Sequence, residues 1–188
     1  MTSPYVVSII DLPRTEGAQH DLHTELPAPV DCGVPLIGVP EGEPIDVDLQ
    51  LQSVSEGVLV QGQLHTTAYG QCARCLRDIA RPMDEMVAEL IFYPESRKAL
   101  LDEGDEEAED MPVIVDDQID MEPIVRDCLV LAMPLSPLCR PDCQGLCSEC
   151  GQPWEDLPDD HTHEVFDPRF SALDALAAQL AAEEERHA

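Results

Sequence analysis

Ile45-Asp46-Val47-Asp48-Leu49-Gln50-Leu51-Gln52 is the stretch on which the fold class turns. Apolar and polar side chains alternate without a break, and a period of two puts Ile45, Val47, Leu49 and Leu51 on one face of a strand and leaves the other face wet. Toward the C-terminus, Ser53 to Gly57 reads as a turn. Val58, Val60, Leu64 and Thr66 then alternate with Gln61, Gln63 and His65, which predicts a second strand and a hairpin. After Gly70 and a Cys72-Ala-Arg-Cys75-Leu76 segment, Met86, Ala88, Leu90 and Phe92 alternate with Val87, Glu89, Ile91 and Tyr93 up to Pro94. Three consecutive strands of this kind predict an antiparallel meander, or the same strands curled into a small barrel.

Toward the N-terminus, Tyr5 to Leu12 is apolar and β-branched and reads as a strand, while Pro13 to Pro29 is polar and reads as a loop or an edge excursion. Val113 and Val115 suit a short strand. Asp120 can cap a helix that carries Pro123 in its first turn and Ile124, Val125, Cys128, Leu129, Leu131 and Ala132 on the face meant for the sheet. A last helix is predicted from Asp167-Pro168 through Leu173, Leu176 and Leu180. The expected class is α+β: an antiparallel β-meander or small barrel-like sheet, a packed helix and a C-terminal cysteine-rich zinc module. The expected domains are a β-rich core over 1–134 and a zinc-binding segment with the C-terminal helix over 135–188. Seven of the nine residues from Asp102 to Asp110 are acidic, so their self-repulsion predicts a disordered loop within the core domain.

Ten Lys and Arg against 39 Asp and Glu leave a net charge of -29. Such a field repels phosphate backbones, and nucleic-acid affinity rests on Lys and Arg neutralising phosphates. Direct RNA binding is therefore disfavoured, and basic proteins are the partners that the charge suits. The Met-Thr-Ser-Pro-Tyr start lacks a basic segment followed by an apolar one, and no run of about eighteen apolar residues follows anywhere. A cytoplasmic protein without a membrane partner is expected. In a reducing compartment, eight cysteines point to metal binding in preference to a disulfide framework.

Four of the eight fall in Cys139-Arg-Pro-Asp-Cys143-Gln-Gly-Leu-Cys147-Ser-Glu-Cys150-Gly151. A tetrahedral zinc takes four thiolates, and a Cys-x-x-Cys turn followed by glycine supplies two of them at a suitable separation. The favoured ligand set is Cys139, Cys143, Cys147 and Cys150; the alternative pairs Cys72 and Cys75 with two of these. Either set saturates the metal, so the site is read as structural. Cys32 and Cys128 read as small buried side chains. His161 and His163, which follow Asp159 and Asp160, read as a polar loop. Phosphate-loop, dinucleotide, zincin and nucleophile-elbow motifs are missing, so no enzyme is expected.

The order of these features resembles the YceD family, also called the DUF177 domain family. The residues that carry the likeness are the Arg after the first strand, Cys72-x-Arg-Cys75-Leu76, the acidic loop and the helix from Asp120 to Arg126-Asp127. They continue through Met133-Pro134-Leu135-Ser-Pro-Leu-Cys139 and Cys143-Gln-Gly-Leu-Cys147-Ser-Glu-Cys150-Gly151 to Asp167-Pro168-Arg169-Phe170. The resemblance implies a role in the synthesis, processing or stability of large-subunit (23S) ribosomal RNA, in proteins often encoded beside ribosomal protein L32. Some members lack most of the C-terminal cysteines yet keep the Cys-x-Arg-Cys pair, which implies either that zinc is dispensable to the shared function or that the shared chemistry resides at Cys72 and Cys75. Joined to the charge, it yields an expected ribosome-biogenesis factor that binds a basic ribosomal protein such as L32 or a basic rRNA-processing enzyme. The competing expectations are an RNA-binding zinc knuckle and a thiol redox protein acting through Cys72 and Cys75, with Arg74 and Arg77 stabilising a thiolate. The stretch from Pro137 to Pro153 opposes the first of these, because Arg140 is its one basic residue and it has no aromatic on which a base could stack.

Overall fold

The computed structural model describes residues 3–163 and Leu173; the helix expected from Asp167 lies outside the described residues. In chain order the elements are β1 (Val6–Ser8), β2 (Gln19–Pro27), β3 (Gly33–Val34), β4 (Ile37–Gly38), β5 (Pro44–Ser53), β6 (Gly57–Gln71), β7 (Asp78–Phe92), α1 (Pro94–Asp102), β8 (Gln118–Asp120) and α2 (Glu122–Ala132). Short 3-10 turns lie at Glu106–Glu109 and Trp154–Asp156. The class is α+β, and the chain divides into two compact units, Met1–Gly145 and Leu146–Ala188.

In the first unit, β5, β6 and β7 form the expected meander. Strand β5 pairs with β6 from Asp46↔His65 to Ser53↔Val58, and β7 pairs with the whole of β6 from Gly57↔Phe92 to Gln71↔Asp78. The stretch from Ile45 to Gln52 behaves as its alternation requires: Ile45, Val47, Leu49 and Leu51 are buried, and Asp46 and Asp48 are exposed. On β7 the inward set is Met83, Val87 and Ile91, while Met86 stands 78% exposed. Gly62 of β6 permits the close approach of β5, since a Cβ there would meet the Asp48 carbonyl oxygen at 2.1 Å.

The barrel alternative is not realised. The sheet is open, with β2 outside β5 and β7 at the opposite edge, and no pairing among the described residues joins those two strands. Strand β2 corrects the reading of Pro13 to Pro29, because it pairs with β5 all the way from Gln19↔Gln52 to Pro27↔Pro44. Only Leu26 on it is buried, so its sequence carries little alternation, and the exposed Asp21, His23 and Glu25 suit an edge that must not pair further. The expected first strand shortens to β1, which pairs with β8 in a separate two-stranded sheet.

Helix α2 starts where the Asp120 side chain accepts a hydrogen bond from the Glu122 N–H at 3.0 Å. Its buried stripe runs at four-residue spacing through Met121, Val125, Leu129 and Met133, packed toward β7. Leu131, assigned to that face from sequence, is 85% exposed because two residues past Leu129 the helix has turned to its far side. Leu129, Leu64, Val60 and Leu51 retain no exposed surface, and complete burial of such a side chain is worth about 1.5–3 kcal/mol.

The acidic run is ordered in part. It contains the end of α1 and a 3-10 turn in which Asp105 accepts from the Glu107 N–H at 3.0 Å and Ala108 is fully buried. A capping carboxylate and one anchored alanine give the run structure that a count of charges does not reveal. Arg14, after β1, lies 4.5 Å from the centre of the Tyr93 ring and pairs with Glu95 at 3.0 Å.

Candidate metal centre

Strands β6 and β7 close at the pair Gln71↔Asp78, which leaves Cys72 to Arg77 as the tip of the hairpin. The turn is a knuckle. The Cys72 N–H donates to the Arg77 carbonyl at 2.8 Å, and the Leu76 N–H donates to the Cys72 carbonyl at 2.9 Å. Closing it puts Leu76 in the left-handed region at φ 60°. Both sulfurs then face one side of the turn.

The segment after α2 comes to this tip. The Ala73 N–H donates to the Pro137 carbonyl at 2.8 Å, and the Arg74 guanidinium donates to the Cys143 carbonyl at 2.7 Å. These bonds bring Cys139 and Cys143 to the knuckle. The sulfur atoms of Cys72 and Cys143 are 3.8 Å apart, those of Cys75 and Cys139 are 3.7 Å apart, and all four lie within 4.8 Å of one another. Sulfurs held about 2.3 Å from a tetrahedral zinc stand about 3.8 Å apart, so the donor set has the size and the softness that zinc requires. Cys72, Cys75 and Cys143 are buried, whereas Cys139 is exposed.

The electrostatics of the four thiols are uneven. Burial raises the Cys72 thiol, but the backbone N–H groups of Cys139, Cys75 and Arg74 and the Cys75 side chain outweigh it and bring it down to about 6. Cys139 is pushed up to about 12, by desolvation first and then by the neighbouring thiols of Cys143, Cys75 and Cys72.

Cys147 and Cys150, which the sequence grouped with Cys139 and Cys143, come together instead with His161 and His163 in the second unit. That brings to a cysteine pair the two histidines read from sequence as a polar loop. Amide donation from Cys150 and Glu149, opposed by desolvation and joined by the His161 and Cys150 side chains, lowers the Cys147 thiol to about 6. Of the remaining cysteines, Cys32 is buried, with burial raising its thiol, and Cys128 is half-buried on α2.

The family model for the large ribosomal RNA subunit accumulation protein YceD matches residues 60–177, a span that holds both cysteine groups. The chain belongs to the YceD family. YceD-family relatives include the uncharacterized protein Rv2926c of Mycobacterium tuberculosis, 42% identical over 173 residues that make up 92% of this chain and 81% of the relative. The uncharacterized protein ML1660 of Mycobacterium leprae is 34% identical over 95% of this chain and 80% of its own length. The uncharacterized protein YlbN of Bacillus subtilis is 26% identical over 70% and 71% respectively. No solved structure matches the chain. No helix among the described residues is long and apolar enough to cross a membrane.

Proposed function

We propose that this YceD-family protein is a non-enzymatic, cytoplasmic ribosome-biogenesis factor. It supports the accumulation of 23S ribosomal RNA by binding a basic ribosomal protein such as L32 or a basic rRNA-processing enzyme. The observation that carries the reading is the family match over residues 60–177. A net charge of -29 supports a basic partner, because charge complementarity speeds encounter and biases partner choice. Zinc held by Cys72, Cys75, Cys139 and Cys143 is structural in this reading. It leaves no open position for a substrate, and it ties the hairpin tip to a segment more than sixty residues further along the chain. The convergence of four thiols disfavours a redox pair, which needs two.

The test has two arms. Depleting the protein is expected to lower 23S relative to 16S ribosomal RNA, and an unchanged ratio refutes the biological role. Purified protein is expected to bind L32, or a basic processing enzyme, with an affinity that falls steeply between low and physiological salt. Binding that persists undiminished at high salt removes the electrostatic argument.

A further inference from the structure

The second unit repeats the backbone of the hairpin-tip knuckle, hydrogen bond for hydrogen bond. The Cys147 N–H donates to the Gln152 carbonyl at 2.8 Å, as Cys72 does to Arg77, and the Gly151 N–H donates to the Cys147 carbonyl at 2.8 Å, as Leu76 does to Cys72. Gly151 adopts φ 70° where Leu76 has φ 60°. Even the closure corresponds: Leu146 bridges Pro153 across the turn, as Gln71 pairs with Asp78. Two segments with little sequence in common beyond Cys-x-x-Cys thus adopt one turn, and it is the turn that aims both sulfurs at a shared point.

Two histidines meet that point. After the 3-10 turn at Trp154–Asp156, the His161 N–H donates to the Pro158 carbonyl at 3.0 Å, and the Trp154 ring stands edge-on to the His161 ring with centroids 5.7 Å apart. The His161 Nε2 lies 3.6 Å from the Cys150 sulfur, and the His161 and His163 rings are 4.4 Å apart at 87°. One ligand atom from each of Cys147, Cys150, His161 and His163 falls within 4.8 Å of the other three. A sulfur and a nitrogen bound to one tetrahedral zinc are separated by about 3.6 Å.

We propose that Cys147, Cys150, His161 and His163 form a second zinc site, of Cys2His2 type, with a ligand set of its own. All four ligands come from residues 147–163, so this metal organises a local module and ties down no distant segment. Four protein ligands close the coordination sphere, which makes the site structural. It stands independently of the four-cysteine centre, and either can fail without the other.

The experiment is metal analysis and zinc X-ray absorption on the full chain purified without chelator, for wild type, Cys72→Ser/Cys75→Ser and His161→Ala/His163→Ala. Wild type is expected to hold about two zinc ions, with a first shell averaging about three sulfurs and one nitrogen. The histidine variant is expected to keep about one zinc in an all-sulfur shell, and the Cys72/Cys75 variant about one zinc in a shell of sulfur and nitrogen in equal parts. Wild type with one zinc in an all-sulfur shell, unmoved by the histidine substitutions, overturns the second site. One zinc in a mixed shell, unmoved by Cys72→Ser/Cys75→Ser, supports it and overturns the four-cysteine centre instead. The absorption measurement on wild type decides the matter even if a variant misfolds.

Discussion

At Cys72–Arg77 the knuckle sits on two paired strands of fifteen residues each, whereas at Cys147–Gln152 the same turn is closed by a single bridge, Leu146 to Pro153. The residue that must enter the left-handed region differs accordingly: Leu76 in the first knuckle, Gly151 in the second. A side chain in that conformation costs about 1–2 kcal/mol, and it persists where the surroundings over-determine the backbone. The β6–β7 ladder does so for Leu76. The second knuckle, closed among the described residues by one bridge, uses the residue that adopts this conformation without steric strain. The clustered side chains differ in the same sense, since the first set joins distant parts of the chain and the second is local.

The largest expected effect separates the two units. Cys72→Ser/Cys75→Ser is predicted to destabilise the first unit by several kcal/mol, the contribution to folding expected of the structural zinc proposed there. Cys147→Ser/Cys150→Ser is predicted to leave that unit's unfolding within about 0.5 kcal/mol and to affect the second. Trp154, the only tryptophan, reports on the second unit by fluorescence, and circular dichroism of the sheet reports on the first. Equal losses in both signals for both variants would erase the distinction drawn between the knuckles.

An intermediate effect tests the left-handed residues. Gly151→Ala is predicted to cost about 1–2 kcal/mol in the Trp154 transition through backbone strain, since a Cβ there would meet nothing within 4 Å among the described residues. Leu76→Gly is predicted to change the sheet transition by no more than about 0.5 kcal/mol, as relief of strain offsets the extra freedom glycine gives the unfolded chain. A large gain from Leu76→Gly would mean that the ladder does not hold the turn as argued. The smallest effect concerns the clasp between hairpin tip and loop: Arg74→Ala is predicted to cost about 1 kcal/mol through the lost bond to the Cys143 carbonyl, read from urea unfolding of the sheet. No change would show that the clasp holds without it, through the Ala73 to Pro137 bond and the proposed metal.

Strands β5, β6 and the end of β7 were legible because half-buried strands write their burial as alternation, and β5 writes it without error. Strand β2 was not, since an edge strand with one buried residue has almost nothing to alternate. Helix α1 escaped notice for a related reason: none of its residues is buried, so no apolar stripe marks it. On α2 the sequence named the right helix and misplaced Leu131, because a rich apolar composition does not say which of several stripes the sheet will cover.

The cysteines divide in the same way. Spacing by itself marked Cys72–Cys75 and Cys147–Cys150 as pairs suited to metal or thiol chemistry, and Gly151 marked the second as able to turn, since a Cys-x-x-Cys motif is a local property of five or six residues. Which sulfur joins which knuckle was decided by tertiary structure: the β6–β7 ladder carries Cys72 and Cys75 to the loop that follows α2, and the turn after Trp154 returns His161 and His163 to Cys147 and Cys150. Nearness in sequence favoured a single run from Cys139 to Cys150, but ligand-type side chains are gathered by nearness in space, which the ladder and the returning chain supply.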